Sequence, residues 1–267
     1  MEPVPASPVA RKINREAVVL LGWGRAVLLQ LAHPLVAAGV GDYSRFRRGT
    51  RGYLRRVRST VGSMIELTFG TPDEAERIVR RINGIHDQVH GTLDRAVGIF
   101  PAGTPYSARD PRLLCWVHAT LVESMVISYE LFVDPLTREE KDRYAADAAW
   151  LARELGVPPA DLPQDYSGIE AHLQTRYASG EIAVGDGARV LAGALLSPPL
   201  GPAAAPLFRM TRLITMGLLP AHVRDAYGFT WNAQRERSFR RAVAFIRRTR
   251  RLLPAILREW PAARLAA

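Results

Sequence analysis

RIVRRINGIHDQVHGTLDRAV, residues 77–97, decides how this chain is read. Ile78, Ile82, Ile85, Val89 and Leu93 recur at three- and four-residue intervals, so the spacing predicts one amphipathic helix over Arg77–Val97. His86 falls inside that apolar stripe. Side chains four apart stand above one another on a helix, which puts Ile82, His86 and His90 in one row and aims two imidazoles at the interior.

Thr71-Pro72-Asp73-Glu74 supplies the start of this helix: an N-cap, a proline at the first helical position and acidic residues in the first turn. Before it, YLRRVRSTVGSMIELTFG (53–70) reads as a helix with Val57, Val61, Met64, Ile65 and Thr68 on one face and with Arg56 and Thr60, four apart, on the flank. Glu66 is a lone carboxylate there: either a desolvated base, or a solvent-facing residue at a helix boundary.

Gly98 to Pro105 closes the His86 segment, and a long apolar helix follows Asp110-Pro111 through LLCWVHATLVESMVISYELFV. Leu114, His118, Leu121, Val122, Met125 and Tyr129 share a face on it, giving a third core-directed histidine. Toward the N-terminus, a helix from about Arg11 to Leu31 breaks at Pro34 and resumes over Leu35–Val40. His33 at that break either faces a pocket or hydrogen-bonds neighbouring backbone. Further helices are expected over Arg138–Leu155, Gly168–Ser179, Asp186–Leu196, Pro202–Met216 and Arg235–Arg251, the last with Phe239, Val243 and Ile246 as its apolar side. No stretch alternates convincingly enough to be a strand. The reading is all-α, with nine to eleven helices in a single domain over 15–267, behind a loose Pro-rich segment at 1–14.

With 267 residues, 48% of them hydrophobic, and neither linker nor repeat, the chain has enough apolar material for one large core. The run Ala17–Gly41 must be tested as a membrane span. Arg25 within it would cost about 2.5 to 3.5 kcal/mol at a bilayer centre, so a buried helix of the soluble core is expected instead. The formal charge of +10 is carried by arginine, since only Lys12 and Lys141 are lysines. Such an excess favours anionic partners and allows peripheral membrane contact, although a GC-rich genome would encode the same bias. Nucleic acid is not expected as the partner. One cysteine, Cys115, excludes an intramolecular disulfide framework and a Cys-clustered zinc site. No signal peptide is visible in the first sixteen residues, and a cytoplasmic protein is expected.

Three core-facing histidines invite a metal. His86-x3-His90 would suit one ion on a helix face, but the glutamate of an HExxH zinc protease is absent, and Asp87-x-x-His90 is the only hint of a di-iron motif. Haem needs less: one axial imidazole in an apolar cleft, with a polar pair opposite, which His86 and Arg56/Thr60 could supply.

The ordered strings LLQLAHPLVAAGV (28–40), Arg56-x3-Thr60, FGT (69–71), IHDQVHG (85–91), YSARDPRLLCWVHATLVES (106–124), YELFVDPLT (129–137) and LGVPPADLP (155–163) resemble the rubber oxygenase and MpaB-type oxygenase family over about residues 15 to 232. The resemblance implies a globin-like helical core around a central haem pocket, a haem b (iron) cofactor, dioxygen as co-substrate, and oxidative cleavage of carbon–carbon double bonds in a small apolar, isoprenoid-like substrate. It implies His86 as the axial ligand, with Arg56 and Thr60 beside the haem. His118 is the rival axial candidate, and His33 a further cofactor contact. A lysine that rubber-cleaving members carry next to the threonine corresponds to Ser59, so no lysine ligand is expected. Two other readings stand beside this one: a non-catalytic all-α binder of lipid or anionic ligands using the Arg235–Arg251 face, and a haem protein driven by peroxide.

Overall fold

The computed structural model describes residues 7–43, 49–197, 201 and 205–265. They form one all-α domain with fourteen helical segments, ten of which reach ten residues or more. The N-terminal part comprises α1 (Pro8–Asn14), a 3₁₀ turn (Ala17–Leu20), α2 (Leu21–Leu31), α3 (Pro34–Tyr43) and the hairpin of α4 (Gly49–Phe69) with α5 (Pro72–His86). Two short strands, β1 (His90–Thr92) and β2 (Pro105–Ser107), lead into α6 (Pro111–Phe132). Then come α7 (Arg138–Glu154), α8 (Tyr166–Ala178), α9 (Asp186–Leu196), α10 (Ala205–Leu218), α11 (Ala221–Ala226), α12 (Ala233–Leu252), α13 (Ala255–Arg258) and α14 (Pro261–Leu265).

The domain is built around α6, which packs against α2, α7, α8 and α12 and is apolar on nearly every side. Trp116, Val122, Val126 and Phe132 are fully buried along it. Such a helix is stable only inside a layer of others, each large side chain contributing about 1.5–3 kcal/mol by leaving water. Helix α2 reaches its place because of two glycines. A Cβ on Gly22 would sit 2.6 Å from the Ser124 carbonyl oxygen of α6, and one on Gly24 would run into the Thr215 side chain of α10.

Among the described residues no single helix is long and apolar enough to cross a membrane. Ala17–Leu31 and Pro34–Asp42 together reach the length only as a pair bent by 105°. The bend falls at His33-Pro34, and Leu28, Leu29 and Leu31 on its first limb are buried in the main core.

Three expectations need correction. The helix expected over Arg77–Val97 stops at His86, and residues 90–92 pair antiparallel with 105–107 in the register His90↔Ser107, Gly91↔Tyr106, Thr92↔Pro105. Two strands therefore exist where none was expected. Val89 and Leu93 are four apart, a spacing that keeps side chains on one face at a period of 2 as well as at 3.6, so the apolar stripe continues while the backbone changes type. Burial alternates accordingly, with His90 and Thr92 exposed and Leu93 buried. The third correction concerns residues 7–14, which are not loose. Ser7 caps α1, Ile13 is fully buried, and Lys12 pairs with Glu140 of α7 at 2.6 Å. Residues 1–6 lie outside the described part.

Candidate functional site

An apolar cleft opens where α3, the end of α5, the β-hairpin and the first turns of α6 meet. Its wall is Gln30 from α2; Leu35, Val36, Gly39 and Val40 from α3; Ile85 and His86 from α5; Val89, Tyr106, Ser107 and Ala108 from the hairpin; and Leu113, Leu114 and Val117 from α6. It encloses about 270 Å³, or about 890 Å³ counted out through its open mouth. The enclosed volume lies just below the roughly 300–1,000 Å³ of pockets that take small organic molecules. Gly39 keeps the floor low: a Cβ there would press on Val89 at 3.1 Å. Ile85 stands at the rim, 55% exposed, an apolar side chain held in water where a ligand could cover it.

His86 is the last residue of α5, and Arg109 holds that turn in place. Its guanidinium donates to Asp87 Oδ1 at 2.7 Å, to Asn83 Oδ1 at 2.6 Å and, beside the Asp87 amide, to the Asn83 carbonyl at 3.3 Å, bracing the backbone that carries the ring. The ring is half-buried, and its Nδ1 is buried without a hydrogen-bond partner. Burial, and then the nearby Arg109 charge, push the His86 pKa below its ordinary value, with Asp87 opposing. The imidazole is therefore neutral near pH 7, with a lone pair to offer. Other polar groups on the wall are spoken for. Tyr106 donates to the Asp42 carboxylate, and Gln30 Nε2 makes long contacts of 3.5 and 3.4 Å to the Val117 carbonyl and Thr120 Oγ1.

The other expected site residues fall in different places. His118, one position past Val117, lies buried against α8 with its Nε2 unpartnered. His33 lines a separate small polar pocket with Phe100, Asp110, Arg112, Arg176 and Glu181, divided from the cleft by Leu35 and Leu113. Its Nδ1 accepts from the Leu35 amide at 3.3 Å, the backbone role considered for it above. Thr60 and Glu66 are exposed on α4, so Glu66 takes the solvent-facing alternative. The Arg56 side chain lies outside the described residues. Arg81 donates a hydrogen bond to Ser63 across the α4–α5 hairpin. The apolar stripes of these helices offer Met64, Ile82, Leu114, Leu121 and Met125 as ligand-lining residues; of these Leu114 lines the cleft, Met64 and Ile82 do not, and Leu121 and Met125 pack into the main core. Gln30, Gly39, Tyr106 and Arg109 were not singled out by sequence reasoning.

Among the described residues no group of three or more His, Cys, Asp or Glu side chains converges as a metal site. A porphyrin iron asks for one protein donor and apolar walls, and an unpartnered imidazole nitrogen at the edge of an aliphatic cleft fits that demand. Cys115 is no rival nucleophile, because burial raises its thiol pKa to about 11.

His33 and His118 make a pH prediction. Burial, the largest cause for both, lowers each pKa from 6.5 to about 4. Between those values the unfolded chain binds more protons than the folded one. Stability should therefore fall as pH drops from 6.5 to 4, by up to about 3 kcal/mol for each ring, and level off below. Urea unfolding across this window checks it, and His118→Leu, which removes one titrating ring, should flatten the slope.

A model of the family described as ER-bound oxygenase mpaB/B'/Rubber oxygenase, catalytic domain, matches residues 10–248. An uncharacterized protein of Mycobacterium bovis and another of Mycobacterium tuberculosis are each 28% identical over 233 residues, covering 85% of this chain and 87% of the relative. No solved structure matches.

Proposed function

Because this chain belongs to the ER-bound oxygenase mpaB/B'/rubber oxygenase catalytic-domain family, we propose that it is a haem b dependent oxygenase whose cleft takes a small, apolar, unsaturated substrate. The observation that carries the reading is where the cleft's residues come from. All fourteen lie in three of the stretches that carry the family resemblance, 28–40, 85–91 and 106–124, and among them stands one imidazole with a buried, unpartnered nitrogen.

His86 would hold the iron through a ring nitrogen, and Arg109, by gripping Asn83 and Asp87, keeps that ring from turning away. Bound haem supplies the one-electron chemistry with dioxygen that amino-acid side chains cannot perform. The aliphatic wall from Leu35, Val36, Val40, Val89, Leu113 and Val117 excludes water and favours a hydrocarbon chain over a polar one. The family resemblance gives Arg56 the role of pairing with a haem carboxylate, whereas Thr60 is exposed on α4 and is not part of the cleft wall.

An absorbance spectrum of the purified full chain, before and after adding haem, tests the proposal. A Soret band is the expected result. A colourless protein that also leaves added haem free in solution would overturn it.

A further inference from the structure

Helix α12 has two faces of different character. Phe239, Val243 and Ile246 turn inward, and Arg250 is tied to Glu16 at 2.8 Å. On the opposite side Arg237, Arg241, Phe245, Arg248 and Leu252 recur at four, four, three and four residues, a single stripe on a helix, and all five are exposed. After Pro254 the short turn α13 carries two further exposed apolar side chains, Ile256 and Leu257. Phe245, Leu252, Ile256 and Leu257 are 61–78% exposed, far more apolar surface than a solvated helix needs. Eight arginines stand in this helix against one acid, Glu236, which is already bonded to Arg240 and Trp231. Among the described residues Arg237, Arg241, Arg248 and Arg251 have no ion-pair partner.

We propose that this face docks on an anionic phospholipid surface, the arginines meeting headgroup phosphates and carboxylates while Phe245, Leu252, Ile256 and Leu257 enter the acyl boundary. An interleaved stripe of cations and large apolar side chains fits the bilayer interface, where both chemistries occur within one helix diameter. A nucleic-acid backbone would reward the arginines but leave the leucines and isoleucine in water. A twofold copy of the chain would bring the arginine stripe against itself, like charge on like. No residue of this face lines the cleft, so the inference is independent of haem.

Vesicle flotation of the full chain tests it, using phosphatidylcholine alone and phosphatidylcholine mixed with phosphatidylserine. The chain should float with the anionic vesicles only, and less as salt rises. Arg241→Gln/Arg248→Gln should weaken that partition roughly 30-fold, from the effect of about one surface cation per residue removed. Phe245→Ser/Leu252→Ser should weaken it about tenfold or more at unchanged charge. Equal binding to neutral vesicles, no binding, or variants that float like the parent would each overturn the proposal. So would duplex DNA binding that is as strong as the vesicle binding and indifferent to the Phe245/Leu252 change, or a concentration-dependent dimer lost in that variant without any flotation.

Discussion

Replacing His86 with alanine should leave a folded protein without a Soret band. The side chain stands at the edge of the cleft, half in water, so its removal opens no sealed cavity and the unfolding midpoint should move little. Haem affinity should fall by more than ~100-fold, since even the outer partners of a metal ligand are commonly worth 10- to 100-fold. The comparison that gives the experiment its force is His118→Leu, which deletes the rival imidazole while keeping most of its volume in a closed part of the core. That variant should keep its colour. Arg109→Leu lies between them: the ring remains but its turn is released, so haem should bind more weakly with a shifted band. If His118→Leu is colourless and His86→Ala is red, the axial assignment is wrong and the cleft is not where the cofactor sits.

How far the sequence could be read depends on which physics each feature obeys. The helical architecture was legible because α6 and α12 announce themselves through apolar periodicity, and α5 and α6 through caps that act locally: Thr71 with Glu74 in a capping box, and Asp110 before Pro111. The end of α5 was not. The apolar stripe runs past it in a spacing that a helix and a strand both satisfy, and the side chain that braces its last turn, Arg109, lies 22 residues downstream of Asp87. Gly91 signals the hairpin only once Tyr106 is known to cross it; a Cβ there would meet the tyrosine Cζ at 2.8 Å. The site shows the same division. His86 was visible as a polar residue in an apolar stripe. Gln30, Gly39 and Tyr106 became its neighbours through tertiary packing, which no local pattern encodes.

Arg25→Leu should cost about 3–5 kcal/mol, the range for breaking a buried ion pair by removing one partner. The sequence already marks this arginine as a charge inside an apolar run, and the structure shows what keeps it there. It is 2% exposed. Its guanidinium donates to Glu123 Oε2 at 2.6 Å, to Ser124 Oγ at 2.7 Å and to the Leu218 carbonyl at 2.9 Å, joining α2 to α6 and to the end of α10. Leucine in its place would strand a mostly buried carboxylate and a carbonyl at once, and the loss comes from those orphans rather than from the missing charge itself. Removing the orphaned carboxylate should therefore undo most of the damage. Arg25→Leu/Glu123→Leu is expected to be more stable than Arg25→Leu alone and within about 1–2 kcal/mol of the parent, because desolvating an ion pair costs nearly what the pair returns. Urea unfolding of the three proteins decides it. A single variant costing under about 1 kcal/mol, or a double variant worse than the single, would mean that water reaches this pair and that α2 is held by its glycine-mediated contacts instead.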